Sequence, residues 1–107
     1  MNSLHADILR MARRNRLVGM WAAEKLGLVG ESAKAYANDL ARGALDIERN
    51  DVLAILRKDF DRAGVVQSDE QILNIMSQSW LEAGRGAKGT DSSDAALVQI
   101  VRNLQSR

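Results

Sequence analysis

Ala12-Arg13-Arg14-Asn15-Arg16-Leu17-Val18-Gly19-Met20-Trp21-Ala22-Ala23-Glu24-Lys25-Leu26-Gly27 contains no proline and no strand-like alternation, and it ends on a glycine. That is the pattern of a helix closed by a left-handed cap. Followed toward the N-terminus, the same helix extends to about Ser3 and puts Leu4, Ile8, Met11, Val18, Ala22 and Leu26 on one side. It also carries a cationic cluster, Arg10, Arg13, Arg14 and Arg16, beside Trp21. At about 100° per residue, Arg10, Arg13 and Arg14 fall within roughly a third of the circumference, and Trp21 projects between Arg10 and Arg14.

Four more segments show helical periodicity. The second begins near Glu31, with Ala33, Tyr36, Ala37, Leu40, Ala41 and Ala44 at i, i+3, i+4, i+7 spacing. The third carries Val52, Ile55, Leu56, Phe60 and Ala63, and the fourth Ile72, Ile75, Met76, Ser79, Trp80 and Ala83. The fifth carries Ala96, Leu97, Ile100, Val101 and Leu104. Gly27, Gly64 and Gly84 are expected helix stops, and Leu28 and Val65 supply the apolar residue that follows a Schellman ending. Ser68 with Gln71 predicts a capping box, reinforced by Asp69 and Glu70 at the positive end of the helix dipole. Asn50 and Ser92 are weaker N-cap candidates. From Gly84 to Ser93 the chain is glycine-rich and polar, as linkers are. Short helices are marginal alone and must bury their stripes against one another, with short loops favouring antiparallel neighbours. The prediction is an all-α protein, an antiparallel four-helix bundle plus a C-terminal helix, forming one helical domain over 1–107. The bundle is expected over 3–84, a flexible linker over 85–92 and the last helix over 93–105.

Composition narrows the functional classes. At 107 residues, 46% hydrophobic and 27% charged, the chain suits one soluble domain with a self-sufficient core. A net charge of +1 offers no global field for nucleic acid or a membrane surface. Without cysteine there are no disulfides, thiol nucleophiles or thiolate metal sites. No apolar run approaches the roughly 20 residues a membrane helix needs, and the N-terminus lacks a signal-like apolar core. These readings predict a cytoplasmic protein.

Catalysis finds little support. His5, the single histidine, has only Asp7 as a nearby carboxylate and reads as a solvated residue near the chain start. There is no Glu-x-x-His pair for a bundle metal site, and Gly84–Thr90 lacks the Gly-Lys-Ser/Thr order of a phosphate loop. The arginine cluster has two readings. It is a docking face for an acidic protein surface or a nucleotide phosphate, since guanidinium forks match such oxygens. Alternatively it is a solvated face with one arginine packed on tryptophan, which residue types alone favour. Trp21 and Trp80 occupy apolar helical positions and read as core, and on that basis Trp80→Ala is expected to cost about 3–5 kcal/mol. Leu17 and Met20 point off the main stripe and, with Trp21, would form an apolar patch edged by arginine. The cationic side of the first helix is thereby expected to face outward while its other side closes the bundle.

The block Ala12–Gly19, followed by Trp21–Leu28, resembles the N-terminal helix of the zeta subunit, the small regulatory protein of the F-type ATP synthase in alphaproteobacteria. Ala35-Tyr36-Ala37, Asp51-Val52-Leu53, Ala63-Gly64-Val65 and Ser68-Asp69-Glu70 continue the likeness in order, over about residues 10–84. The resemblance implies a four-helix bundle that inhibits ATP hydrolysis by the catalytic sector and binds ADP or ATP as a regulatory ligand, without enzymatic activity, catalytic residues or metal. It implies partner contacts through Arg10, Arg13, Arg14, Arg16 and Leu17, and nucleotide contacts through Arg14, Asn15 and Trp21. It places the protein at the inner membrane only peripherally, through the synthase. Family members carry a longer arm before the Ala-Arg-Arg-Asn block, so Met1–Met11, with Leu4-His5-Ala6-Asp7 as a remnant of it, reads as the shortened arm of a divergent paralogue. The alternative is a nucleotide-sensing or protein-interaction bundle without inhibitory activity.

Overall fold

A computed structural model describes residues 3–46, 48 and 50–85. Among them the chain is helical, with no strand: α1 Ser3–Lys25, α2 Gly30–Arg42, a single 3-10 turn Gly43–Leu45, α3 Val52–Ala63 and α4 Asp69–Arg85. The expected C-terminal helix over 93–105, the linker beyond residue 85 and the Ser92 cap lie outside the described residues.

Local signals set the helix ends. Gly27 stands at φ 80°, and the Leu28 amide donates to the Ala23 carbonyl at 2.9 Å. Gly64 stands at φ 72°, and the Val65 amide donates to the Phe60 carbonyl at 2.8 Å. A Cβ would be strained at either position, so both are the Schellman endings that the sequence predicts. The capping box also forms: the Ser68 amide donates to Gln71 Oε1 at 3.0 Å, and the Gln71 amide to Ser68 Oγ at 3.1 Å.

Two expected boundary residues do something else. Asp51, not Asn50, caps α3, accepting from the Ala54 amide at 3.2 Å. Asn50 is drawn sideways to Asn15 on α1, a partner that no local pattern reveals. Gly84 does not stop α4, which runs through it to Arg85.

Helix α1 is the axis on which the others assemble. Its contacts pair Gly19 with Ala37, Asn15 with Leu40 and Ala12 with Ala41, so the register falls along α2 as it rises along α1. The approach is close enough that a Cβ on Gly19 would sit 2.6 Å from the Ala37 Cα. Such contact is possible only between small residues. The main core gathers Val18 and Ala22 from α1, Leu40 from α2, Val52, Leu56 and Phe60 from α3, and Ile72 from α4. Each buried aliphatic or aromatic side chain there contributes about 1.5–3 kcal/mol by leaving water. Trp21 packs against this core edge-on to Phe60, with ring centroids 5.7 Å apart.

Trp80 corrects the sequence reading. It is half-buried and stays outside the main core. Its helical phase matches the stripe, but α4 turns that edge toward Arg10 and Arg14 of α1, so the indole is stacked under a guanidinium and borders a groove instead of joining the apolar core.

Candidate functional site

The seam between α1 and α4 brings together most of the functional candidates. Arg10 reaches across from the first half of α1 to the last turns of α4, where carbonyl oxygens and the negative end of the helix dipole attract a cation. Its Nε and Nη2 donate to the Trp80 carbonyl at 3.0 and 2.9 Å. The guanidinium carbon lies 3.9 Å from the Trp80 ring centroid, a cation–π stack. Gly84 makes room, since a Cβ there would come within 2.7 Å of that guanidinium. The glycine thus uncovers the carbonyl one turn before it instead of ending the helix.

One turn along α1, Arg14 is half-buried and donates through Nε and Nη2 to Asn15 Oδ1 at 2.9 and 2.7 Å. Burial lowers the pKa of its guanidinium from the ordinary arginine value, although the group keeps its charge. Asn15 is fully buried. Its Nδ2 donates to the Leu40 carbonyl at 3.0 Å and to Asn50 Oδ1 at 2.7 Å, which ties α1 to the end of α2 and to the segment before α3. The sequence held a signal for this role: Asn15 lies in phase with the apolar positions Ala12, Val18 and Ala22.

Arg14 also lines a groove of about 430 Å³ together with Leu73, Met76, Ser77, Trp80 and Leu81. Arg13, Arg16 and Leu17 are half-buried on α1. The arginine face expected to point outward is therefore partly covered, because α4 lies against Arg10 and Arg14. Of the expected nucleotide residues, Arg14 and Asn15 touch, whereas Trp21 lies further along the same face against Phe60.

Two polar features were not expected. Arg57 of α3 donates to Asp69 at 2.7 Å and to Asp61 at 3.2 Å, tying the start of α4 to α3, and these carboxylates raise its pKa. Tyr36 of α2 donates its hydroxyl to Asp59 of α3 at 2.6 Å beside a recess of about 360 Å³. Burial, then the bond and charge of Asp59, push the phenol above its ordinary value. Among the described residues, no group of three or more His, Cys, Asp or Glu side chains could hold a metal ion. No described helix is long and apolar enough to cross a membrane.

Residues 6–86, a span that includes both seams of α1 and all of α2, α3 and α4, match a family model described as ATPase inhibitor subunit zeta. No curated protein and no solved structure matches the chain.

Proposed function

The chain belongs to the ATPase inhibitor subunit zeta family, and from that premise we propose that it restrains ATP hydrolysis by binding the catalytic sector of the F-type ATP synthase. The observation that carries this reading is the family match, which runs through every described helix. In this reading the four helices act as one antiparallel bundle with a regulatory role and no catalytic residue. The protein works in the cytoplasm, reaching the inner membrane only through the synthase. Arg13, Arg16 and Leu17 form the docking part of α1, where guanidinium forks and an apolar anchor suit an acidic protein surface. Arg10 and Arg14 shape that surface from within the seam.

An adenine nucleotide binds beside Arg14 in the same reading. Arg14 is the phosphate partner, Asn15 orients its guanidinium through the 2.7 Å bond, and Trp21 stands two turns further along the same face. Adding the purified protein to the isolated catalytic sector and following ATP turnover tests the inhibitory role. Turnover should fall to a plateau at saturating protein, and Arg16→Glu with Leu17→Asp should raise the concentration needed. Unchanged turnover overturns inhibition. If amide resonances around Arg14 then still shift with ADP, the protein is a nucleotide-sensing bundle without inhibitory activity.

A further inference from the structure

Two arginines of α1 keep their charge beside α4 with only neutral partners. Arg10 donates to the Trp80 carbonyl and stacks on the Trp80 ring. Arg14 donates through Nε and Nη2 to the amide oxygen of Asn15, and Nη1 takes no part in that pair. A neighbouring carboxylate would raise the pKa of Arg14; burial acts on it alone, and lowers it. A half-buried charge without a counter-ion is costly, so a molecule that brings one gains what the fold leaves unmade.

Arg14 lines an apolar groove together with Leu73, Met76, Ser77, Trp80 and Leu81, and no acidic residue is among them. Leu73 and Leu81 are 46% and 60% exposed. Exposed apolar surface edged by charge marks a contact site, and Arg, Trp and Met are the types enriched where proteins meet. Walls so exposed do not enclose a small molecule, which needs about 70–90% of its surface buried. They suit a convex ridge instead. Leu73 and Leu81 stand about 12 Å apart along α4, and anchors at i, i+4 and i+7 of a second helix span about 10.5 Å. A second copy of the chain fits the charge badly. Ser77 lies midway between the two leucines, so a two-fold that pairs them passes there and sets the Arg14 of both copies against each other.

We propose that this groove receives an amphipathic helix of another protein, with its apolar anchors among Leu73, Met76, Trp80 and Leu81 and a carboxylate beside the middle anchor paired with Arg14. The docking stands independently of the inhibitory reading, and its test contains no synthase. A nucleotide phosphate beside Arg14 would compete with the carboxylate, so nucleotide is left out as well.

The probes are two alanine-based helical peptides with leucine at i, i+4 and i+7, which differ only at i+3, glutamate in one and glutamine in the other. Fluorescence anisotropy reads their binding to the full-length chain, and amide shifts read the place. The glutamate peptide should bind about tenfold more tightly, the gain of one charge-assisted bond. It should shift the amides of Arg14 and Leu73–Leu81 and leave those of Glu31–Ala35 in place. Arg14→Gln should abolish the preference between the peptides. Because that change also removes a partner of Asn15, Leu81→Glu, at an exposed position, is the second variant and should weaken both peptides by about tenfold or more. The proposal is overturned if neither peptide binds at millimolar concentration, if the two bind alike, or if the shifts lie elsewhere. It is overturned equally if the preference survives Arg14→Gln, or if Leu81→Glu leaves binding unchanged. If the free chain sediments as a dimer that Leu81→Glu dissociates, the occupant is a second copy and the proposal fails.

Discussion

On its α2 side, α1 presents Ala12 and Gly19, and meets Ala37 and Ala41; on its α4 side it presents Arg10 and Arg14, and meets Met76, Trp80 and Leu81. The small residues let two backbones touch, so the first seam is close, and the fully buried Asn15 is a polar node within it. The second seam is bridged by long side chains instead. Their stems cover apolar surface while the guanidinium heads find a carbonyl, an indole face or an amide oxygen. A groove lined by Arg14, Leu73, Met76, Ser77, Trp80 and Leu81 runs along this second seam. The two sides of α1 thus differ in kind: backbone contact between small residues on the α2 side, long side chains beside a groove on the α4 side.

Substitutions can test that contrast, beginning with the close seam. Gly19→Leu drives a side chain into the Ala37 backbone, which cannot swing aside, and should cost about 3 kcal/mol in urea unfolding. A loss below about 0.5 kcal/mol would mean that the helices are not in contact there. Asn15→Ala strips partners from Asn50, the Leu40 carbonyl and Arg14 together, and should cost about 2 kcal/mol by the same measurement. On the open side, Trp80→Ala should cost only about 1–2 kcal/mol, less than half the loss for Phe60→Ala, which removes a fully buried ring. Equal losses at the two positions would return Trp80 to the core. Smaller still, Gly84→Ala should stabilise by about 1 kcal/mol in an Arg10→Ala background, where helix propensity acts alone. In the native background the added methyl displaces the Arg10 guanidinium and that gain should vanish. Additive effects would show that Arg10 does not occupy the space above Gly84.

The Tyr36–Asp59 bond belongs to neither seam and is the control. Tyr36 holds its proton more tightly in the folded chain than in the unfolded one. Its contribution is complete below the ordinary phenol value of 10.0 and is lost as pH rises beyond it. Chemical denaturation between neutral and strongly alkaline pH should show that decline, and Tyr36→Phe should flatten it without altering either seam.

Much of the architecture was legible because it is local. The α2 stripe Ala33, Ala37, Leu40 and Ala41 is buried as its spacing predicts, and Gly27, Gly64 and Ser68 act within a few residues of themselves. Gly84 and Asn50 misled for one reason: each carries a residue type with a common local use, and each serves a distant partner. Arg10 lies 70 positions from the Trp80 carbonyl it holds, and Asn15 lies 35 from Asn50. The match over residues 6–86 accords with the resemblance carried by the α1 block.

The amino-acid order alone determined that the described part of this chain is helical, most of its helix ends, and which family it joins, because hydrogen bonds and caps span only a turn and motifs keep their order. Only the tertiary structure decided which side of α1 meets α4. An arginine face is nearly as stable in water as it is stacked on an indole and bonded to a carbonyl. That small difference in free energy is settled by where α4 lies, and Arg10 finds its carbonyl there 70 positions along the chain.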